Sequence, residues 1–118
     1  MNGKELIDSL LEEEEIGTLF RLRDYKFSIH SPEGSIPHIH FTKGMSEKPE
    51  LSGCLAILYK GYANHGKYKD ELPKKIFEYF CSWMSNDDNF KLACEEWNTN
   101  NSITKIEYSK IKNPFKTT

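Results

Sequence analysis

Residues 30–41, HSPEGSIPHIHF, hold three of the four histidines of this chain. Two of them form His38-x-His40. Alternate side chains of a β-strand share a face, so His38 and His40 point one way and Ile39 and Phe41 the other. The run Ser31-Pro-Glu-Gly-Ser35 is turn chemistry, because proline fixes its own φ and glycine supplies an unusual one. Residues 18–30 on one side of the turn are strand-like. Phe20 and Leu22 share one parity, and Tyr25, Phe27 and Ile29 share the other. The phase slips near Asp24, which predicts a bulge or a tight turn there. Residues 37–42 supply the partner strand, so the whole reads as a hairpin with a loop of several residues.

Parity then places the histidines. A hairpin with one core face puts Ile39 and Phe41 with Tyr25, Phe27 and Ile29. His38, His40 and Thr42 share the opposite face with Lys26, Ser28 and His30. If His30 lies opposite His38, His40 falls diagonally across from His30, within side-chain reach. Three imidazoles would gather on one face.

Outside the hairpin, Leu6, Ile7, Leu10 and Leu11 predict a short amphipathic helix over residues 4–15. Its last residues, Glu12 to Glu15, place four carboxylates against the helix macrodipole, so this end reads as solvated and frayed. Residues 43–52 read as a loop. CLAILYK, residues 54–60, is apolar on both faces and reads as an interior strand. Residues 61–66 form a glycine-bounded turn, and 67–71 a short strand or an ordered loop. Pro73 opens a helix to residue 85, with Ile76, Phe77, Phe80, Trp83 and Met84 on its apolar face. Asn86-Asp-Asp88 starts a second helix over residues 88–99, carrying Phe90, Ala93, Cys94 and Trp97. Weak alternation from Ile103 to Tyr108 suggests a last edge strand. The fold class is therefore α+β: a small antiparallel sheet of three to five strands, two consecutive C-terminal helices packed on one face, and a short N-terminal helix. Residues 1–112 read as one domain and 113–118 as a flexible tail.

Composition bounds the function. With 118 residues, a net charge of −2 and a pI near 6.1, the chain lacks the basic footprint of a general nucleic-acid binder. Arg21, Arg23 and Lys26 still make a locally basic cluster. Cys54, Cys81 and Cys94 show no CxxC spacing, so a cysteine zinc site is not expected; they read as buried free thiols, which favours a reducing, cytoplasmic compartment. The polar, acidic N-terminus does not resemble a signal peptide. The longest apolar run falls far short of a membrane span.

Imidazole nitrogens are good ligands for zinc and other divalent transition metals, which makes His30, His38 and His40 a candidate metal site. Glu33 or Asp70 could add a carboxylate. The same cluster suits acid–base work, although no nucleophile stands beside it. The plainer reading is that these histidines brace the hairpin or line a polar contact surface. His65, in Asn-His-Gly-Lys, sits in a stretch too short for a phosphate loop and reads as a turn residue. Trp83 and Trp97 lie on apolar helical faces and read as core.

Pro37-His38-Ile39-His40-Phe41 resembles the Pro-His-x-His-aliphatic signature of a small bacterial family, domain of unknown function 4160. The order of later elements agrees: a second strand at residues 54–60, Leu72-Pro73 opening a helix, Trp83 near its end, and Trp97 on a shorter helix. The resemblance spans residues 24–100. Ile36 stands where the family usually has a proline, and Asp70-Glu71 replace its usual approach to Leu-Pro. Such families often sit in two-gene modules of toxin–antitoxin type. The resemblance thus implies a cytoplasmic, macromolecule-binding member of a toxin–antitoxin-like or defence-related pair. A protein partner is expected first and nucleic acid second, with no membrane and with homodimerisation through a sheet edge as a further arrangement. The expected contact surface is Arg21, Arg23, Lys26, His38 and His40, with residues 12–15 as a second acidic contact. The alternative is a metal-dependent hydrolase, such as a nuclease, held by His30, His38 and His40.

Overall fold

The computed structural model describes residues 17–30, 36–45, 48–66, 68–101 and 104–116. The helix expected over residues 4–15, with its acidic end, lies outside the described residues. Four strands form one antiparallel sheet in the order β1-β2-β3-β4: β1 (Thr18–Leu22), β2 (Tyr25–Ser28), β3 (His38–Met45) and β4 (Lys48–Ala56). Two helices follow, α1 (Lys74–Ser85) and α2 (Asp87–Asn100), then a single 3-10 turn at Tyr108–Lys110. This is the expected α+β architecture.

The phase slip near Asp24 is a tight turn. Arg23 takes φ 56°, in the left-handed region, and Leu22 pairs with Tyr25 across it. Residues 43–45 and 48–52, expected as part of a loop, are strand: Lys43 pairs with Leu51, and Thr42 with Ser52. Their polar side chains hid the pairing, because a sheet face with charged residues at its rim loses the apolar alternation that marks a strand. Lys43 instead meets Glu50 at 3.4 Å. At the other end, β4 stops at Ala56, and the expected strand residues 57–60 bend away.

Register decides the core. Phe27 pairs with Phe41, and Phe41 with Gly53. A Cβ on Gly53 would lie 2.6 Å from the Phe41 ring and would also strike the Asp70 carbonyl. Only glycine lets the ring lie across the strand at this point. Tyr25, Phe27, Ile29, Ile39, Phe41, Leu55 and Ile57 are all buried, as one-face alternation requires. Helix α1 covers this face: Phe80 stacks on Phe27 at 5.6 Å and Trp83 on Phe20 at 4.3 Å.

The helix boundaries follow local chemistry. Pro73 caps α1 and Asn86 caps α2, accepting the Asn89 N–H on its side chain. Asp87 and Asp88 in the first turn of α2 suit the positive end of its dipole. The expected edge strand near residues 103–108 does not form among the described residues. Asn98 intercepts it: its side chain accepts the Ile106 N–H at 2.6 Å and donates to the Ile106 carbonyl at 2.8 Å. One amide thereby satisfies the groups that a strand partner would have taken.

The tail expected to be loose after residue 112 is packed through residue 116. Asn113 donates to the Met84 carbonyl at 2.8 Å, and Lys116 meets Asp87 at 2.6 Å. Phe115 is 2% exposed, with its ring 5.7 Å from Phe80 and 6.5 Å from Phe90. One aromatic side chain docks the segment, because burying a phenyl ring outweighs the cost of ordering a few residues. Phe115→Ala should therefore lower unfolding free energy by about 3 kcal/mol, read as a lower urea midpoint at unchanged slope. A change within about 0.5 kcal/mol would show that the tail contributes nothing.

Candidate metal centre

The second face of the sheet carries the histidines. Ser28 pairs with His40 and His40 with Cys54, so one row across β2, β3 and β4 reads serine, imidazole, thiol. His38 lies two rows on, on the same face, opposite Ala56. Continuing the β2–β3 register places His30 opposite His38, as parity anticipates.

The segment after β4 completes the site. It folds back along the β4 edge: the Ala56 N–H reaches the Gly61 carbonyl, the Ala63 N–H the Cys54 carbonyl, and the Asp70 N–H the Ser52 carbonyl. Asn64 accepts the Cys54 N–H on its side chain at 2.8 Å. Between these anchors the chain makes a tight turn at Gly66, φ 56°, closed by reciprocal backbone bonds between His65 and Tyr68 of 3.0 and 2.9 Å. The excursion carries His65 over the histidine face. Its ring lies 5.2 Å from His38 and 5.8 Å from His40.

His38, His40, Cys54 and His65 each offer one ligand atom, and all four atoms lie within 4.8 Å of one another. His38, His40 and Cys54 are 4%, 1% and 0% exposed, while His65 is exposed. The Cys54 sulfur is 3.7 and 3.9 Å from the two His40 nitrogens. In tetrahedral zinc coordination, neighbouring donors stand about 3.3 Å apart for two nitrogens and about 3.6 Å for nitrogen and sulfur. The Cys54–His40 pair already has about that spacing, and no pair would need to close by more than about 1.5 Å.

The proton arrangement also suits a metal. His38 Nδ1 is 2.6 Å from the Ile36 carbonyl oxygen. A carbonyl can only accept, so Nδ1 carries the hydrogen and the lone pair of the neutral ring lies on Nε2. That nitrogen is buried. A metal-binding histidine is usually held in this way, by a carbonyl at its other nitrogen.

The expected triad is corrected in one member. His30 is exposed and stacks on His40 with centroids 3.9 Å apart and planes 7° from parallel. Its Nε2 is 3.3 Å from the Ser28 hydroxyl. An ion bound by imidazole lies near the ring plane, where the lone pair points. Two nearly parallel, stacked rings share no such point, so His30 supports His40 and cannot join it on one ion. The His38 and His65 planes, in contrast, stand 55° and 88° from that of His40. Of the two candidate carboxylates, Asp70 is engaged elsewhere, accepting the Ser52 N–H at 2.9 Å, and Glu33 lies outside the described residues.

Sequence reading missed Cys54 and His65. The parity of Cys54 and Ala56 against Leu55 and Ile57 put Cys54 on the histidine face once the β3–β4 register was known. Nothing in the spacing of His65 marked it. The expected contact surface also divides. Arg21 and Arg23 are exposed and Arg21 pairs across the outer hairpin with Lys26, but His38 and His40 are buried and cannot touch a partner directly. The other two cysteines are not among the converging donors. Burial pushes the Cys94 thiol up to about 12, with Glu95 adding to the shift, and burial also raises Cys81.

A cleft of about 290 Å³ adjoins the group, lined by residues that include Ile36, His38, Tyr59, Tyr62, Asn64 and His65. Among the described residues no helix is long and apolar enough to cross a membrane. Comparison with protein families, curated proteins and solved structures finds no match to this chain.

The stacking geometry separates His30 from the ligands by experiment. His30→Ala should keep one metal equivalent per chain, weakened no more than about tenfold, the lower end for loss of a supporting contact. His38→Ala should lose stoichiometric metal, measured by elemental analysis after dialysis. Equal loss in both variants would return His30 to the ligand set.

Proposed function

We propose that this chain binds one divalent transition-metal ion through His38, His40, Cys54 and His65, and that it is a metal-dependent hydrolase. The observation that carries the reading is the convergence of those four donor atoms within 4.8 Å. Three imidazoles and one thiolate favour zinc, because nitrogen and sulfur donors in tetrahedral array suit that ion. The adjoining cleft supports hydrolysis over a purely structural role. Two of its lining residues, His38 and His65, are also ligands, so a substrate seated there lies beside the ion. An ion held by these residues would lower the pKa of a water, and so supply a nucleophile at neutral pH, only where one of the four donors gave its position to that water.

Protein purified without an affinity tag should contain about one zinc per chain. Zinc at a hundredfold excess over its dissociation constant should stabilise the fold by about 2.7 kcal/mol, seen as a higher melting temperature. Cys54→Ser should abolish both effects. The zinc form should hydrolyse chromogenic carboxylate or phosphate esters, and the metal-stripped form should not. Absence of stoichiometric metal with no thermal shift on adding zinc, nickel or manganese would end the metal reading. Bound zinc without turnover would end the hydrolase reading alone.

A second reading has one observation in its favour. Arg21, Arg23 and Lys26 stand on the β1–β2 hairpin at the outer side of the sheet. This basic edge suits an acidic macromolecular partner, protein before nucleic acid, in a toxin–antitoxin-like pair. Such a partner should co-purify with the native chain and be lost from an Arg21→Ala, Arg23→Ala double variant that still folds. Undiminished capture would exclude this edge.

A further inference from the structure

We propose that Asn64 is the positioning residue of this centre, and that its carboxamide oxygen, by accepting the Cys54 N–H, sets the loop ligand His65 over the strand ligand Cys54. The inference rests on the metal-binding reading above and goes beyond it, naming a residue outside the donor set that acts through two of its members.

The contact arises where two extended segments part. Leu55 and Tyr62 form an antiparallel bridge. Its two main-chain bonds run from the Ala56 N–H to the Gly61 carbonyl and from the Ala63 N–H to the Cys54 carbonyl, each at 2.9 Å. The next pair in such a ladder, Cys54 with Ala63, would exchange two main-chain bonds. The Ala63 N–H supplies the first of them. At the second position the Cys54 N–H donates to the Asn64 side-chain oxygen at 2.8 Å. The carboxamide thus stands in for the Ala63 carbonyl. The main chain can leave the β4 edge at Asn64 while the Cys54 N–H keeps an acceptor. Asparagine suits this place because its side chain imitates a backbone carbonyl.

That departure carries His65 to the site. Beyond Asn64 the chain turns at Gly66 and closes through the His65–Tyr68 pair. The His65 ring then stands 5.8 Å from that of His40, whose strand neighbour is Cys54. Ala63 and Asn64 grip both main-chain groups of Cys54, so the sulfur ligand and the residue before the loop ligand move as one body. Coordination distances tolerate only about 0.2 Å. A donor set gathered within 4.8 Å therefore depends on whatever fixes the spacing of its two segments. Asn64 itself is exposed, so changing its side chain neither opens the core nor buries a charge.

Cobalt(II) is the probe, because its visible absorption reports coordination whether or not a substrate is known. The native chain should bind one cobalt with a thiolate charge-transfer band. Asn64→Leu keeps the size of the side chain and removes the oxygen. It should bind cobalt about ten- to a hundredfold more weakly, the range for losing an outer partner of a ligand. The thiolate band should persist, and the d–d bands should weaken as water replaces His65. Asn64→Asp keeps an oxygen at the same place and should restore the native spectrum and most of the affinity. A general loosening of the fold would not be reversed by that change. If Asn64→Leu does not fold, Asn64→Gln carries the test, since it displaces the same oxygen by one bond and should weaken the d–d bands relative to Asn64→Asp.

Native affinity and spectrum in Asn64→Leu, or in Asn64→Gln where that variant replaces it, would overturn the proposal and leave the metal reading standing. A weakening in Asn64→Asp as large as in Asn64→Leu would do the same, because the oxygen would not be the cause. Loss of the thiolate band in Asn64→Leu would show the sulfur displaced in place of the loop imidazole, again against the proposal. A native chain that binds no cobalt would overturn the metal reading together with this one.

Discussion

The antiparallel register of β2, β3 and β4 is the constraint on which everything else depends. Ser28, His40 and Cys54 share one row, and Phe27, Phe41 and Gly53 the next. Because side chains alternate with a period of two, a slip of one residue would exchange the two rows. The phenyl rings would then face the histidine side, and the imidazole and thiol would enter the aromatic core beneath α1. Packing therefore enforces the site. The contacts of Phe27 with Phe41 and Phe80, and of Phe41 with Tyr62, hold the strands in the register that brings His40 against Cys54.

The histidine face is nonetheless a costly arrangement. Two imidazoles and a thiol are withdrawn from water among Ala56, Tyr68 and Trp97, whose indole lies 5.3 Å from His38. Burying polar groups opposes folding unless something satisfies them. Part of the answer is internal: a carbonyl for His38, a sulfur and a stacked ring for His40, and the Asn64 amide behind Cys54. A metal ion at the same atoms would offset the remainder and would couple metal binding to stability. The segment after β4 does two jobs here. It shields the sheet edge that would otherwise invite another strand, and it delivers His65.

Much of this was legible in the sequence, for identifiable reasons. Strict alternation in residues 25–29 and 38–41 gave the two faces and the diagonal meeting of His30 and His40. Asn86-Asp-Asp88 and Pro73 marked the helix starts. Failures came where signals are not local. The polar rim of β3 and β4 hid a strand pair in residues 43–52. Phe115 looked like part of a loose tail because its partners, Phe80 and Phe90, lie far back in the chain. Cys54 was placed by a register that only the folded sheet reveals, and His65 by a loop whose path no periodicity encodes. The inclusion of His30 as a ligand failed for a different reason: proximity was foreseen, but ring orientation was not.

The most direct test of the central claim is X-ray absorption at the zinc edge of the loaded, untagged protein. The account predicts one sulfur near about 2.3 Å and nitrogen donors near about 2.0 Å, with imidazole scattering from three rings. A first shell of nitrogen and oxygen without sulfur would contradict it, because the row that pairs His40 with Cys54 would then not be the row that holds the ion.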